Sequence, residues 1–175
     1  MDPLLNRARS LLGINLMRLG KNEEAYSQLE TCYKNGYQSS ATVNTLRLMD
    51  SYKNFVTYTT ERTVLKVHKK EAELLRPYIE GEMNRAIRTY EDKYRMKLAQ
   101  PVQVEVYPDH EDFAVRTLGM PGLGALGVTF GHAIAMDSPS GRKPGTFHWA
   151  STLWHEMSHV FTLTATGHRV PRWFT

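Results

Sequence analysis

From Leu4 to Leu19 apolar residues recur at helical spacing, as Leu4, Leu5, Leu11, Leu12, Leu16 and Leu19, and the run stops at Gly20. Pro3 suits a first helical turn, where its missing N–H costs nothing. A second helix follows, with Asn22 as its cap, Glu23 and Glu24 in its first turn, Ala25, Tyr26, Leu29 and Tyr33 as its apolar stripe, and Asn35-Gly36 as its stop. Residues 3 to about 52 therefore read as helical throughout. The period changes near Phe55. FVTYTTERTVLKVH is rich in Val, Thr and aromatics with a polar break at Glu61 and Arg62, which predicts two short strands.

A long helix is predicted from Glu71 to Leu98, with Leu75, Ile79, Met83, Ala86, Ile87, Tyr90, Tyr94 and Leu98 on one stripe. Pro77 should start its regular part or kink it, and Pro101 ends it. VQVEVY, 102 to 107, alternates Val102, Val104 and Val106 with Gln103 and Glu105, the pattern of a strand with one buried face. A short helix over 108 to 118 opens at Pro108-Asp109. Two strands near 126 to 130 and 133 to 137 meet at Gly131-His132, SPSGRKPG forms a surface loop, and a last helix runs from about 147 to 165. The glycine spacing before the hairpin is no nucleotide signal, because no strand-to-helix turn surrounds it.

Alternating strands and helices behind an all-helical start make the fold class α+β, divided as a helical hairpin over 1–52 and a mixed α+β part over 53–175. The 175 residues suffice for a core. Twenty-two Lys and Arg against 18 Asp and Glu give a net charge of +4, but the basic residues are scattered, which argues against nucleic acid as a partner. No apolar run is long enough to span a bilayer, and MDPLLNRARS lacks the basic and apolar regions of a secretory signal. With one cysteine, Cys32, there is no internal disulfide framework.

The last helix contains TLWHEMSHVF, residues 152 to 161. In a chain of this composition H-E-x-x-H arises by chance in about 2% of shufflings. On a helix His155 and His159 stand one turn apart and about 40° around the axis, so both imidazoles reach one tetrahedral cation. Glu156 projects beside the pair, where a carboxylate can exchange protons with an attacking water. Trp149, Ala150, Leu153, Trp154, Met157, Val160 and Phe161 fill the opposite arc, so that one face is core and the other free to line a cleft. A bland reading makes the histidines polar residues of an ordinary amphipathic helix, which does not account for the glutamate between them.

HEMSH, the tail VPRWFT and the order of strands and helices before them resemble the gluzincin branch of zinc metallopeptidases, in particular bacterial peptidase-MA-like domains, over about residues 55 to 175. The resemblance implies the N-terminal zincin subdomain, a small mixed sheet with a long helix and an active-site helix. It implies Zn2+ on His155 and His159, Glu156 as general base, and a peptide or protein substrate. The segment LGALGVTF resembles the strand at the edge of the cleft that pairs with extended substrate, and reads equally as an ordinary glycine-rich entry to a strand. The family's third ligand is a glutamate in W-F-x-E-G; here Trp173-Phe174-Thr175 stands where that segment opens, so the ligand is expected at the next position and this chain by itself is expected to be inactive. Leu12-Gly13, Leu16, Gly20, Ala25, Leu29 and Cys32 fall at offsets resembling one tetratricopeptide repeat, which implies a protein partner for the helical part.

His168 lies nine residues past His159, but Thr162 and Ala165 stand where a metzincin would need glycine and histidine, so an exposed turn is its expected place. His148 is seven residues, about 10 Å along a helix, before His155, too far to share its cation. His68, His110 and His132 read as surface or strand-end residues. Trp173 and Phe174 are candidates for an exposed patch compatible with a homodimer. The rival to a peptidase is a scaffold module in which the hairpin docks a partner and the zincin part is degenerate.

Overall fold

The computed structural model describes residues 3 to 171. Their order is α1 (Pro3–Arg18), α2 (Asn22–Lys34), α3 (Ser40–Ser51), a 3-10 turn (Tyr52–Asn54), β1 (Phe55–Thr59), β2 (Thr63–His68), α4 (Ala72–Tyr94), β3 (Val102–Tyr107), α5 (His110–Leu118), β4 (Gly127–Phe130), β5 (Ala133–Asp137), a 3-10 turn (Pro139–Gly141) and α6 (Trp149–Ala165). The fold is mixed α+β. Its contacts divide into two compact units, one made of the chain up to Asn54 with Asp109–Gly124, the other of Phe55–Pro108 with the chain from Ala125. The segment 109–124, placed by sequence within the second part, thus packs with the N-terminal helices.

In the helical unit α1 lies against α2 so closely that a Cβ on Gly13 would stand 2.7 Å from Leu29 Cγ. The face of α1 that turns inward is Asn6, Ser10, Ile14 and Met17, meeting Ala25, Leu29 and Cys32 of α2. Its polar members are paired: Ser10 Oγ lies 2.8 Å from Thr42 Oγ1 of α3, and Asn6 Oδ1 accepts from Asn35 Nδ2 at 3.3 Å while its carbonyl accepts from Cys32 Sγ. The predicted stripe Leu4, Leu5, Leu11, Leu12 and Leu19 is instead exposed. Gly13 lets α2 approach, and a helix with apolar residues on both sides leaves its period silent about which side is inside. Asn22 is the first helical residue and not the cap; Lys21 precedes the helix without a side-chain cap. Ser39, whose side chain accepts from Thr42 N, caps α3.

The second unit is built on a five-stranded sheet in the order β1-β2-β3-β5-β4. β2, β3 and β5 run parallel, and β1 and β4 are antiparallel edges, with Val104 opposite Leu65 on one side and Ile134 on the other. Leu65, Val67, Val102, Val104, Val106, Ile134 and Met136 form one core with Ile79, Met83 and Ile87 of α4 and Leu153, Met157, Val160 and Phe161 of α6. Hydrogen bonds join the two helices as well: Tyr90 Oη donates to the Trp154 carbonyl at 3.1 Å and Trp154 Nε1 to Glu82 at 2.8 Å. Pro77 lies inside α4, which ends at Tyr94 and not at Leu98, because Arg95 takes the left-handed conformation (φ 52°) and stops the helix.

β3 departs from its expected single buried face, for Glu105 and Tyr107 are as buried as the valines. Alternation of polar and apolar residues does not tell a central strand from an outer one. The buried carboxylate is satisfied by Tyr107 Oη and Gln103 Nε2, each at 2.7 Å, with Lys66 Nζ 3.9 Å away.

Candidate metal centre

α6 brings the motif residues together. Its start is fixed by His148, whose Nδ1 accepts from Ser151 N, so this histidine serves as a cap and takes no part in the cluster. The helix buries Leu153, Met157, Val160 and Phe161, and that anchoring turns His155 and His159, on the opposite side, toward a groove. The groove, of about 310 Å³, is lined by Gly127, Val128 and Thr129 of β4 and by His155, Glu156, His159 and Leu163 of α6.

His155 Nε2 and His159 Nε2 are 3.1 Å apart, with the rings nearly perpendicular (86°). Two nitrogens bound at about 2.05 Å to one tetrahedral cation would be about 3.3 Å apart, so the pair stands close to chelating geometry. At this distance one ring can also donate to the other, and the same convergence of lone pairs admits a cation. A carboxylate oxygen of Glu156 completes a group whose ligand atoms all lie within 4.8 Å of one another, and this group can hold a metal ion.

Glu156 is the buried member, 6% exposed beside an exposed His155. A buried carboxylate requires a donor. Thr129 supplies it: its Oγ1 lies 2.7 Å from Glu156 Oε2 and 3.0 Å from the Glu156 carbonyl, so its single proton is shared between side chain and main chain of one residue. Gly127, two residues earlier on the same strand face, makes room, for a Cβ there would stand 2.8 Å from both Glu156 Cγ and Thr152 Cγ2. Neither role was legible from the sequence. Within the segment LGALGVTF, the space beside Gly127 is filled by Thr152 and Glu156 of α6.

The other histidines lie elsewhere. His168 sits beyond the end of α6 in the left-handed region (φ 61°), exposed and outside the cluster. His132, at the β4–β5 turn, is held below the ordinary imidazole value first by burial and then by the nearby His168. His68 packs edge-on against Phe55, and His110 Nε2 lies 2.6 Å from the Leu123 carbonyl. Trp173, Phe174 and Thr175, on which the third-ligand and surface-patch expectations rest, fall outside the described residues. No described helix is long and apolar enough to cross a membrane.

No protein-family model matches the chain, and it has no significant match among curated proteins or solved structures.

Proposed function

We propose that the second unit is the metal-binding part of a zinc-dependent peptidase of the gluzincin kind, hydrolysing peptide bonds of a peptide or protein substrate. The observation that carries this reading is the pairing on one helix turn of two converging imidazoles, 3.1 Å apart, with a buried glutamate whose carboxylate is held from the neighbouring strand. A zinc ion on His155 and His159 would supply Lewis-acid polarisation of the scissile carbonyl and of the attacking water. Glu156 accepts the proton of that water and passes it to the departing amine nitrogen. Thr129 keeps the carboxylate aimed while it does so.

Among the described residues β4 is an edge strand paired with β5 alone, and its residues Gly127, Val128 and Thr129 border the groove. Extended substrate can add to such an edge through main-chain hydrogen bonds, which favours a peptide over a small polar substrate. Two histidines are fewer than the three protein ligands of a catalytic zinc site, and Glu156 is reserved for proton transfer. Weak zinc binding and little turnover are therefore expected of this chain by itself.

Zinc titration against a chromophoric competitor tests the reading. The chain should bind one zinc per molecule, His155→Ala and His159→Ala should each weaken binding at least about tenfold, and Glu156→Gln should retain it. Equal affinity in the two alanine variants and the parent chain would place the metal elsewhere and end the proposal.

A further inference from the structure

α1 carries two faces. Asn6, Ser10, Ile14 and Met17 are buried within the helical unit, while Leu4, Leu5, Leu11, Leu12 and Leu19 stand 71%, 50%, 53%, 51% and 57% exposed. At 100° per residue these leucines and Ala8 fall within an arc of about 120°, centred opposite the buried face. Four exposed leucines on one helix of sixteen residues, with Leu19 directly after its end, form an apolar patch, the kind of surface that marks an interaction site.

The spacing within the patch describes its occupant. Leu5, Leu12 and Leu19 are seven apart, as are Leu4 and Leu11, with Ala8 and Asn15 along the middle of the arc. A seven-residue repeat is the seam of one helix lying along another, and the short side chain at Ala8 lets a backbone come near. Asn15, exposed and bonded to the Leu11 carbonyl and to Arg18, puts a polar group in the seam, which suits a helix partner and disfavours insertion among lipid chains.

Charge narrows the partner further. Arg7 and Arg18 line one rim and Arg9 the other, and α1 has no acidic residue. Arg18 is held there by its bonds to the Thr117 carbonyl and Asn15. A second copy packed along the same face would set arginines against arginines, whereas glutamates flanking a partner's seam would meet them. We infer that the leucine face of α1 is a docking surface for an amphipathic helix of a partner protein whose apolar seam is flanked by acidic residues. The inference stands apart from the metal centre and does not depend on it.

The test uses the whole chain and a labelled synthetic helix with leucine at the a and d positions of each heptad and glutamate at e and g, followed by fluorescence anisotropy. Binding should weaken with added salt and by about a hundredfold in the triple variant Leu5→Gln, Leu12→Gln, Leu19→Gln. Glutamine keeps helix propensity and these side chains are already exposed, so circular dichroism should show the fold retained. Arg7→Glu with Arg9→Glu should reverse the preference toward the same helix carrying lysine at e and g. Equal binding of the two helices, no binding of either, or indifference to the leucine substitutions would overturn the proposal. So would a chain that sediments as a dimer dissociated by those substitutions, or one that binds vesicles of mixed zwitterionic and anionic lipid and not the helix.

Discussion

Replacing Gly127 by alanine probes how tightly β4 and α6 are fitted around Glu156. The backbone at Gly127 is not in the left-handed region, so alanine carries no conformational penalty there. The cost is steric: the new methyl would lie 2.8 Å from Glu156 Cγ, 2.8 Å from Thr152 Cγ2 and 3.0 Å from Glu156 Oε1. None of these is the free end of a long side chain, because Glu156 is buried and held by Thr129. Overpacking of this kind costs about 1–3 kcal/mol. In a folding unit near 100 residues that is a fall of at least about 4 °C in Tm. Tryptophan fluorescence reports the right unit, since Trp149 and Trp154 both lie on α6 and the helical unit has no tryptophan. The decisive arm repeats the substitution in a Thr152→Ser, Glu156→Ala background, where the three atoms are gone; the cost should shrink by about 1 kcal/mol or more. A Gly127→Ala protein as stable as the parent, or one equally destabilised in both backgrounds, would refute the close fit.

Two further predictions concern charge. Burial works to raise the Glu91 carboxyl, but hydrogen bonds and charge from Lys97 (2.7 Å) and Arg62 (2.6 Å) more than offset it, leaving it below the ordinary glutamate value. Its contribution to stability is therefore complete above the unfolded value of about 4.3 and is lost as pH falls through the folded value, so Glu91→Gln should flatten the acid limb of Tm against pH; an unchanged limb would exclude the pairing. His132 is depressed by burial and by His168, so neutral His132 contributes fully above about pH 6.5 and the contribution fades as pH falls from there toward the folded value. His168→Ala should raise the His132 titration midpoint seen by NMR, and no movement would show that burial acts alone.

The elements were largely legible because their limits are written in local chemistry. Gly131 sits in the turn of the β4–β5 hairpin, Gly119 takes the left-handed position that closes α5, and the alternation in VQVEVY follows the strand. The motif histidines were legible for the same reason, since four residues on a helix fix their spacing. What failed was information carried by distant partners. The inward face of α1 was misassigned because Gly13 and Ser10 owe their burial to α2 and α3, not to hydrophobicity. Glu105 was placed on an open face because nothing in 102–107 tells that the second face of the strand is covered as well. Likewise no local signal ties residues 109–124 to helices that precede them by more than fifty positions.

The same division runs through the candidate metal centre and makes the two tasks proposed for it separable. The imidazoles converge by helix geometry alone, whereas the carboxylate is set by a strand 27 residues away in sequence, brought alongside α6 by the edge position of β4. Thr129→Val keeps the shape of the side chain and removes only the hydroxyl, leaving Glu156 buried without this donor, a loss of about 1–3 kcal/mol. Stability should fall accordingly and recover in Thr129→Ser, while zinc affinity, resting on His155 and His159, should stay within about threefold of the parent. If instead Thr129→Val weakened zinc binding as much as His155→Ala, the strand would be holding the ligands themselves, and Glu156 would have to be counted among them in place of the proton-transfer role proposed for it.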